Sequence, residues 1–455
     1  MTDRPPAAIR DAAVAAHRAG KLDKARTLYV RYLTARPDDA GILSNLGALF
    51  RQARQYDMAR RIQARAYAMD PEAPGIRNNY ANILSDVGAY DRSIELRRII
   101  LAQNPDDAMQ EAMIGRCLRG MGRYDDAIAH LEAARTRHPE ESEIPLQLAF
   151  AQLAAGHYGP AFRNYAARWQ SEELTPKDLP FPKWDEGTEI AGKTVLVVPE
   201  QGFGDAILFA RFFPELEKRG ARVLYLTEKP LARLFDGIAG TDWVGTALPR
   251  DAPVDCWMNL MDMPLLVYGP NEDGTPPPPA ALTIPQDSRD RAERIVAPWA
   301  DTFRIGVVWS GSATYKGNGF RSFSHRDLLP LTDIPGVQLF SLYKGPYLEA
   351  FNADGAGAVI IDTASTDRDF ADCAATMARM DLVITSDTVS AHIAGSMGIP
   401  VWTVLHWDAF WVWRHKGETT DWYPGMRLFR QHRPLDWTGV MDDVQTALRT
   451  HLEGV

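Results

Sequence analysis

Residues 381–405 read DLVITSDTVSAHIAGSMGIPVWTVL. The run Leu382-Val383-Ile384 has the apolar, β-branched character of a buried strand, and it stops abruptly at Thr385-Ser386-Asp387-Thr388. A small-residue helical pattern carrying His392 follows, and Gly398-Ile399-Pro400 closes it before a second apolar run at 401–405. Strand, loop, helix and strand in this order form the unit of a parallel α/β sheet. Such sheets bind ligands beyond the carboxyl ends of their strands, and that is where Ser386, Asp387 and Thr388 fall.

The same grammar recurs on the N-terminal side. A strand at 304–309 runs into SGSATYKGNGFRSF, a small-residue loop carrying Lys316 and Arg321. Strands are expected at 337–342 and 359–361, a helix at 370–380 and a last helix at about 437–452. Further back, 195–198 reads as a strand, PEQGFGD as a loop, and the sequence after it as an amphipathic helix to about Lys218. Gly220 caps that helix, and 223–226 is the next strand. This is not the dinucleotide fingerprint. Gly202 and Gly204 are followed by Asp205-Ala206-Ile207, so the third glycine is missing and a carboxylate stands where a pyrophosphate would be repelled. The reading is two α/β halves, 193–287 and 288–455, each with a functional loop after its first strand.

The first third follows another rule. Prolines stand at Pro37, Pro71, Pro105 and Pro139, each followed by an acidic residue, and tyrosines at Tyr56, Tyr90, Tyr124 and Tyr158. Small residues recur at Ala25, Ala59, Ser93, Ala127 and Ala161. Glycines recur at Gly20, Gly88, Gly122 and Gly156, with Arg54 taking one turn. All four series share a period of 34, which predicts about five helix pairs over residues 1–170. Glycine permits the tight turn, the small residue lets the helices approach, and proline ends the second helix. The fifth unit departs after Ala161 and reads as a cap that docks on the following domain. Asn45, Asn78, Asn79 and Asn82, early in first helices, are placed either to bond a peptide backbone or to face solvent. Residues 171–192, rich in proline and charge, read as a linker with Phe181 and Trp184 as candidate anchors.

Composition bounds the function. A hydrophobic content of 45% with 24% charged residues is that of a soluble globular chain, and 455 residues imply about three domains. The net charge of -9 argues against a nucleic-acid partner. The three cysteines, Cys117, Cys256 and Cys373, are far apart and read as reduced core thiols of a cytoplasmic protein. The first twenty or so residues lack the apolar core of a signal peptide, and no window suits a membrane span.

The 34-residue pattern, with its Gly-x-Tyr turn and closing proline, resembles the tetratricopeptide repeat. The remainder, about 193–450, resembles the heptosyltransferase family of GT-B glycosyltransferases. VVPEQGFGDAILFARF is similar to that family's first strand, loop and helix with its Gly-Asp pair. IGVVWSGSATYKGNGFRS is similar to the first C-terminal strand with its Lys-bearing loop, and DLVITSDTVSAHIAGSMGIPVWTVL to the donor-binding stretch. The pairing with repeats also resembles the protein O-GlcNAc transferases in architecture alone. The fold expected is an α-helical tetratricopeptide solenoid followed by a GT-B pair of Rossmann-like domains, the first on the acceptor side and the second for the nucleotide sugar.

The resemblance implies an inverting, metal-independent glycosyltransferase with no cofactor beyond its nucleotide-sugar donor. Asp205 would be the base, or, read alone, a helix N-cap favoured by the dipole. Gln201, Gly202 and Gly204 would line the substrate side of the same loop. Lys316 and Arg321 would meet the donor phosphates, or be solvated loop charges. Ser386, Asp387, Thr388, Val389 and His392 would hold the nucleotide sugar through a helix N-terminus, with Asp387 alternatively a cap and His392 alternatively structural. Here HWDAFWVWRHKGETTDWYP departs from the family's shorter Asp-Trp-Arg-Trp-type stretch, with Trp413 and Arg414 as the substrate-side candidates and the donor left open. Six tryptophans between 402 and 437 are sugar platforms or core. The acceptor implied is a protein or peptide on the inner face of the repeats, with a glycolipid or polysaccharide precursor as the other choice. The competing class is a non-catalytic repeat adaptor with a degenerate sugar-nucleotide module.

Overall fold

The computed structural model describes residues 5–170, 174–269 and 274–454. The chain forms two compact units, Met1–Ala151 and Gln152–Val455. The first boundary is short of residue 170, the end of the repeats read from the period. Residues 171–173 of the expected linker lie outside the described residues.

The first unit is a stack of helix pairs: α1 (Pro6–Arg18) with α2 (Leu22–Ala35), α3 (Ala40–Gln52) with α4 (Tyr56–Met69), α5 (Pro74–Asp86) with α6 (Tyr90–Gln103), and α7 (Ala108–Gly120) with α8 (Tyr124–Arg137). The unit ends within α9 (Glu143–Ala155). Each series of periodic residues has a visible task. The tyrosines open the second helices. In the PDD turns the second acid caps the next helix: Asp39 accepts the Ile42 N–H at 2.9 Å and Asp107 the Gln110 N–H at 3.3 Å. Gly20, Gly88, Gly122 and Gly156 turn the chain at φ 69°, 75°, 70° and 92°, and Arg54 is held at 59° in the same position. The geometry of the turn is therefore imposed by the repeat even where the residue is not glycine. Ala25, Ala59, Ser93 and Ala127 are fully buried between paired helices. Ala127→Leu is expected to cost about 1–3 kcal/mol by overpacking, read as a lower midpoint in the helical signal of far-UV circular dichroism.

The half-buried asparagines are bonded within the repeat unit, Asn78 and Asn79 to neighbouring repeats and Asn82 inside its own helix pair. Asn79 donates to Ser44 Oγ at 3.1 Å, Asn78 accepts from Gln110 at 3.1 Å, and Asn82 accepts from the buried Arg97 at 2.7 Å.

In the second unit α10 (Tyr158–Asn164) and the turn Tyr165–Gln170 precede a four-stranded parallel sheet. Its strands are β1 (Thr194–Val198), β2 (Arg222–Leu226), β3 (Trp243–Gly245) and β4 (Cys256–Asn259), in the order β3-β2-β1-β4. The helix after β1 is broken into α11 (Phe203–Phe209), a turn at Ala210–Phe212, and α12 (Phe213–Lys218), where Pro214 has no N–H to continue the ladder. The described part of the linker is an added edge: Trp257 donates its N–H to the Pro182 carbonyl at 2.9 Å and the Trp184 N–H goes to the Trp257 carbonyl at 2.7 Å.

After α13 (Gln286–Val296) comes a six-stranded parallel sheet, ordered β10-β9-β8-β5-β6-β7. It comprises β5 (Phe303–Val308), β6 (Val337–Ser341), β7 (Ile360–Asp362), β8 (Leu382–Ser386), β9 (Val401–Leu405) and β10 (Met426–Arg430). Its helices are α14 (Asn318–Arg321), α15 (Leu348–Ala353), α16 (Phe370–Met377), α17 (Val389–Ser396) and α18 (Trp437–Glu453). In each sheet the order reverses beside the first strand, between β1 and β4 and between β5 and β8. Those two crevices are where open α/β sheets take ligands. Among the described residues no helix is long and apolar enough to cross a membrane. All three cysteines are free and buried.

Candidate functional site

The switch point of the second sheet is open to chemistry. The loop after β5 and the turn after β8 meet there. A Cβ on Gly311 would lie 2.7 Å from Arg321 Nη2 and 3.1 Å from Thr388 Cγ2. Thr388 caps α17 by accepting the Ser390 N–H at 3.4 Å, and helix geometry leaves the next N–H groups without intrahelical acceptors. Ser386 is buried with its hydroxyl unpartnered among the described residues. Asp387 is buried as well. Arg321 is half-buried, stacked on Tyr315 at 4.6 Å and steadied by Asn318. Gly311 is thus explained: a larger side chain there would fill the gap between Arg321 and the helix start.

Facing this from the first sheet is the turn after β1. Asp205 sits in the first turn of α11, half-buried, and one carboxylate oxygen accepts the Gly202 N–H at 3.1 Å. Burial pushes its carboxyl up to about 6 against that hydrogen bond, with the Glu200 and Asp387 carboxylates adding to the rise and Arg321 opposing it. Asp205 and Asp387, from the loops of two sheets, therefore act on one another, and Arg321 acts on Asp205 with the opposite sign. α11 packs on α17, and Gly204 is the point of closest approach: a Cβ there would meet the His392 ring at 3.0 Å.

His392 belongs to that packing. It is buried, its Nδ1 is 3.0 Å from the Tyr423 hydroxyl, and its ring stacks on Trp413 at 5.3 Å. Burial, then the Arg211 and Arg321 charges, pulls it down to about 3, so it stays neutral. Trp413 is fully enclosed, so its place is under the site, as core, and its face meets His392 rather than a sugar. Arg414 is paired with Asp421. Gln201 is held at φ 61° with its amide on the Tyr165 hydroxyl at 2.5 Å. Lys316 lies exposed in the turn before α14. Of the expected set, the structure brings together Asp205, Arg321, Ser386, Asp387, Thr388 and Val389, with Gly204 and His392 forming the floor. Trp402, Trp411 and Trp422 are buried like Trp413.

Two groups escaped the sequence reading. His406 follows β9 directly, and its buried Nδ1 has no partner among the described residues. Burial lowers it, while the Asp387 and Asp408 carboxylates and the Asp408 backbone oppose that fall. Its signal was its position at a strand end, the argument that found Asp387. The other is Arg168, which fills the switch point of the first sheet. It donates to Glu200 at 2.6 and 3.0 Å and to Asp262, beyond β4, at 2.6 Å. Nothing in its sequence surroundings distinguishes it. Among the described residues no three histidine, cysteine, aspartate or glutamate side chains gather as metal ligands would.

Comparison with known proteins adds the following. The tetratricopeptide repeat family matches residues 118–161, and the first unit is a tetratricopeptide-like solenoid ahead of an α/β region of parallel sheets. Protein FlbA of Caulobacter vibrioides (strain ATCC 19089 / CIP 103742 / CB 15) is 28% identical in a match of length 357 that covers 70% of this chain. The match spans 58% of the length of that curated relative. Among solved structures, a crystal structure of MamA protein covers 38% of this chain and 98% of its own, with 17% identity and a TM-score of 0.32. MamA 41-end from Desulfovibrio magneticus RS-1 covers 38% and 99%, with 16% identity and a TM-score of 0.34.

Proposed function

We propose that the chain is an inverting glycosyltransferase of GT-B type that needs no metal. It moves a sugar from a nucleotide-sugar donor to an acceptor, a protein recruited by the repeats. The observation that supports this reading is the raised carboxyl of Asp205 opposite Arg321 and the start of α17. A carboxylate near 6 is ionised at neutral pH yet basic enough to take a proton from a hydroxyl. In the proposed step Asp205 accepts the acceptor's O–H proton as that oxygen bonds the anomeric carbon. The bond from that carbon to the diphosphate oxygen breaks, and the electron pair leaves with the nucleoside diphosphate. Arg321, Lys316 and the first N–H groups of α17 offset the diphosphate charge. In this reading Asp387 and His406 hold sugar or ribose hydroxyls.

The test is a thermal-shift screen against UDP, GDP, ADP and CMP sugars, followed by hydrolysis and transfer assays with the donor that stabilises the chain. A rise in midpoint with one nucleotide class, together with turnover, is the expected result. No response to any donor sinks the donor site. Tight binding with neither hydrolysis nor transfer sinks the enzyme and leaves the adaptor.

A further inference from the structure

Arg211 is a buried cation that the proposed step does not use. It stands in the turn between α11 and α12 and is 2% exposed. Each of its nitrogens donates to a backbone carbonyl: Nε to Leu208 at 2.9 Å, Nη1 to Pro277 at 3.0 Å and Nη2 to Trp422 at 2.9 Å. Its guanidinium carbon lies 4.9 Å from the ring centroids of Trp422 and of Tyr423. Carbonyls from three separate segments therefore hold one positive charge in one place.

The Tyr423 side chain beside it is fully buried. Burial raises its hydroxyl, and the Arg211 charge is the first contribution against that rise. A guanidinium has only donors, so a hydroxyl next to it turns its oxygen to the cation and its hydrogen away. On the far side is His392 Nδ1, 3.0 Å from the hydroxyl oxygen. Ser396 also adjoins that hydroxyl, but its Oγ has no hydrogen-bond partner among the described residues. His392 is neutral and so carries one N–H. With Nδ1 accepting from Tyr423, that hydrogen belongs on Nε2. Nε2 lies 3.4 Å from where a Cβ on Gly204 would stand, and Val389 Cα is 3.6 Å from the same point. This edge of the ring thus meets the gap between the first turns of α11 and α17.

We propose that Arg211 and Tyr423 are positioning residues that fix His392 in one tautomer, with Nδ1 as acceptor and Nε2–H as a neutral donor to an oxygen of the bound nucleotide sugar. What the N–H meets rests on the proposed function, whereas the tautomer does not. A second consequence follows from the Leu208 carbonyl, which belongs to the same short helix as Asp205. The base and the ligand-facing N–H are thereby held in one frame, although they come from different sheets.

The experiment is long-range proton–nitrogen correlation on the full chain with nitrogen-15-labelled histidine and no nucleotide. His392→Gln identifies the signal among the ten histidines. A bare ring nitrogen and one carrying hydrogen resonate far apart, so the tautomer is read directly. Wild type is expected to show hydrogen on Nε2, a bare Nδ1, and no change between pH 8 and pH 5. Arg211→Met frees the Tyr423 oxygen to accept, so a form with hydrogen on Nδ1 should appear. Arg211→Lys keeps the charge and should restore the wild-type pattern. Tyr423→Phe serves if Arg211→Met does not fold, and should move the Nδ1 signal to that of an unbonded nitrogen. Hydrogen on Nδ1 in wild type overturns the proposal, as does a ring that titrates in this pH range or a pattern that ignores the variants. A sugar nucleotide that raises the melting midpoint should displace the Nε2–H signal, and stabilisation without displacement overturns the contact. The expected tautomers in a chain that no sugar nucleotide stabilises would count only against the proposed function.

Discussion

Asp205→Asn is expected to lower sugar transfer by about 10²–10⁴-fold while leaving donor binding intact. The amide keeps the shape and still accepts the Gly202 N–H, so the α11 turn survives. What it loses is the ability to take a proton. The wild-type pH profile should carry the same information. With the carboxyl near 6, kcat/KM should be flat above pH 7 and about ten-fold lower at pH 5. His392 does not contribute that limb, since it is held neutral down to about 3. Stability must run the other way. The folded-state value lies above the ordinary 3.8, so the protonated form favours folding. That contribution is present below pH 3.8 and is lost as the pH rises through 6. The Asn variant should therefore melt higher than wild type at pH 8, by about 1–2 kcal/mol after allowing for partial exposure, and the gap should close toward pH 4. All twelve tryptophans lie from Trp169 onward, so tryptophan fluorescence follows the second unit alone. A variant with full activity, or a melting gap that ignores pH, would remove Asp205 from the proposed role.

Much of this arrangement was legible in the sequence, because it rests on local rules. The 34-residue period is imposed by steric demands that each repeat meets with the same residue types, so helices and turns could be read off. Strand ends were visible wherever an apolar run broke into small polar residues, which located Asp205, Arg321 and Asp387 together with their loops. What stayed hidden depends on contacts distant in sequence. Trp413 looked available as a platform, but its ring is enclosed between His392 and Tyr423. Arg414 looked like a ligand group, yet Asp421 seven residues on takes it. His392 shares the Thr388 helix, but its ring packs against α11 and Tyr423. Arg168 gave no signal at all, because a buried cation is recognised only by the two carboxylates that surround it.

That cation carries the second large effect. Arg168→Met is expected to destabilise the second unit by about 3–5 kcal/mol. Arg168 is 2% exposed, and Glu200 is 7%. Against the pull of burial, their hydrogen bonds and charges hold the Arg168 guanidinium above its ordinary value. Removing it leaves Glu200 and Asp262 enclosed with no cation between them, and the cost is chiefly theirs. Burial already raises the Glu200 carboxyl against the pull of Arg168, and without that guanidinium it would rise further and escape the cost by protonation. The deficit should be largest above pH 6 and shrink toward pH 4. Arg168→Lys should recover little, since one ammonium cannot replace a fork that reaches Glu200 twice and Asp262 once. Arg168→Met combined with Glu200→Gln and Asp262→Asn should recover most of it, because no buried charge is then left unpaired. The consequence reaches the site. Glu200 is followed by Gln201, held at φ 61°, and then by the turn that presents Asp205. Arg168→Met should therefore weaken transfer even at temperatures where the second unit stays folded. A loss of stability equal at pH 4 and pH 8 would show that shape, rather than charge, is what Arg168 supplies.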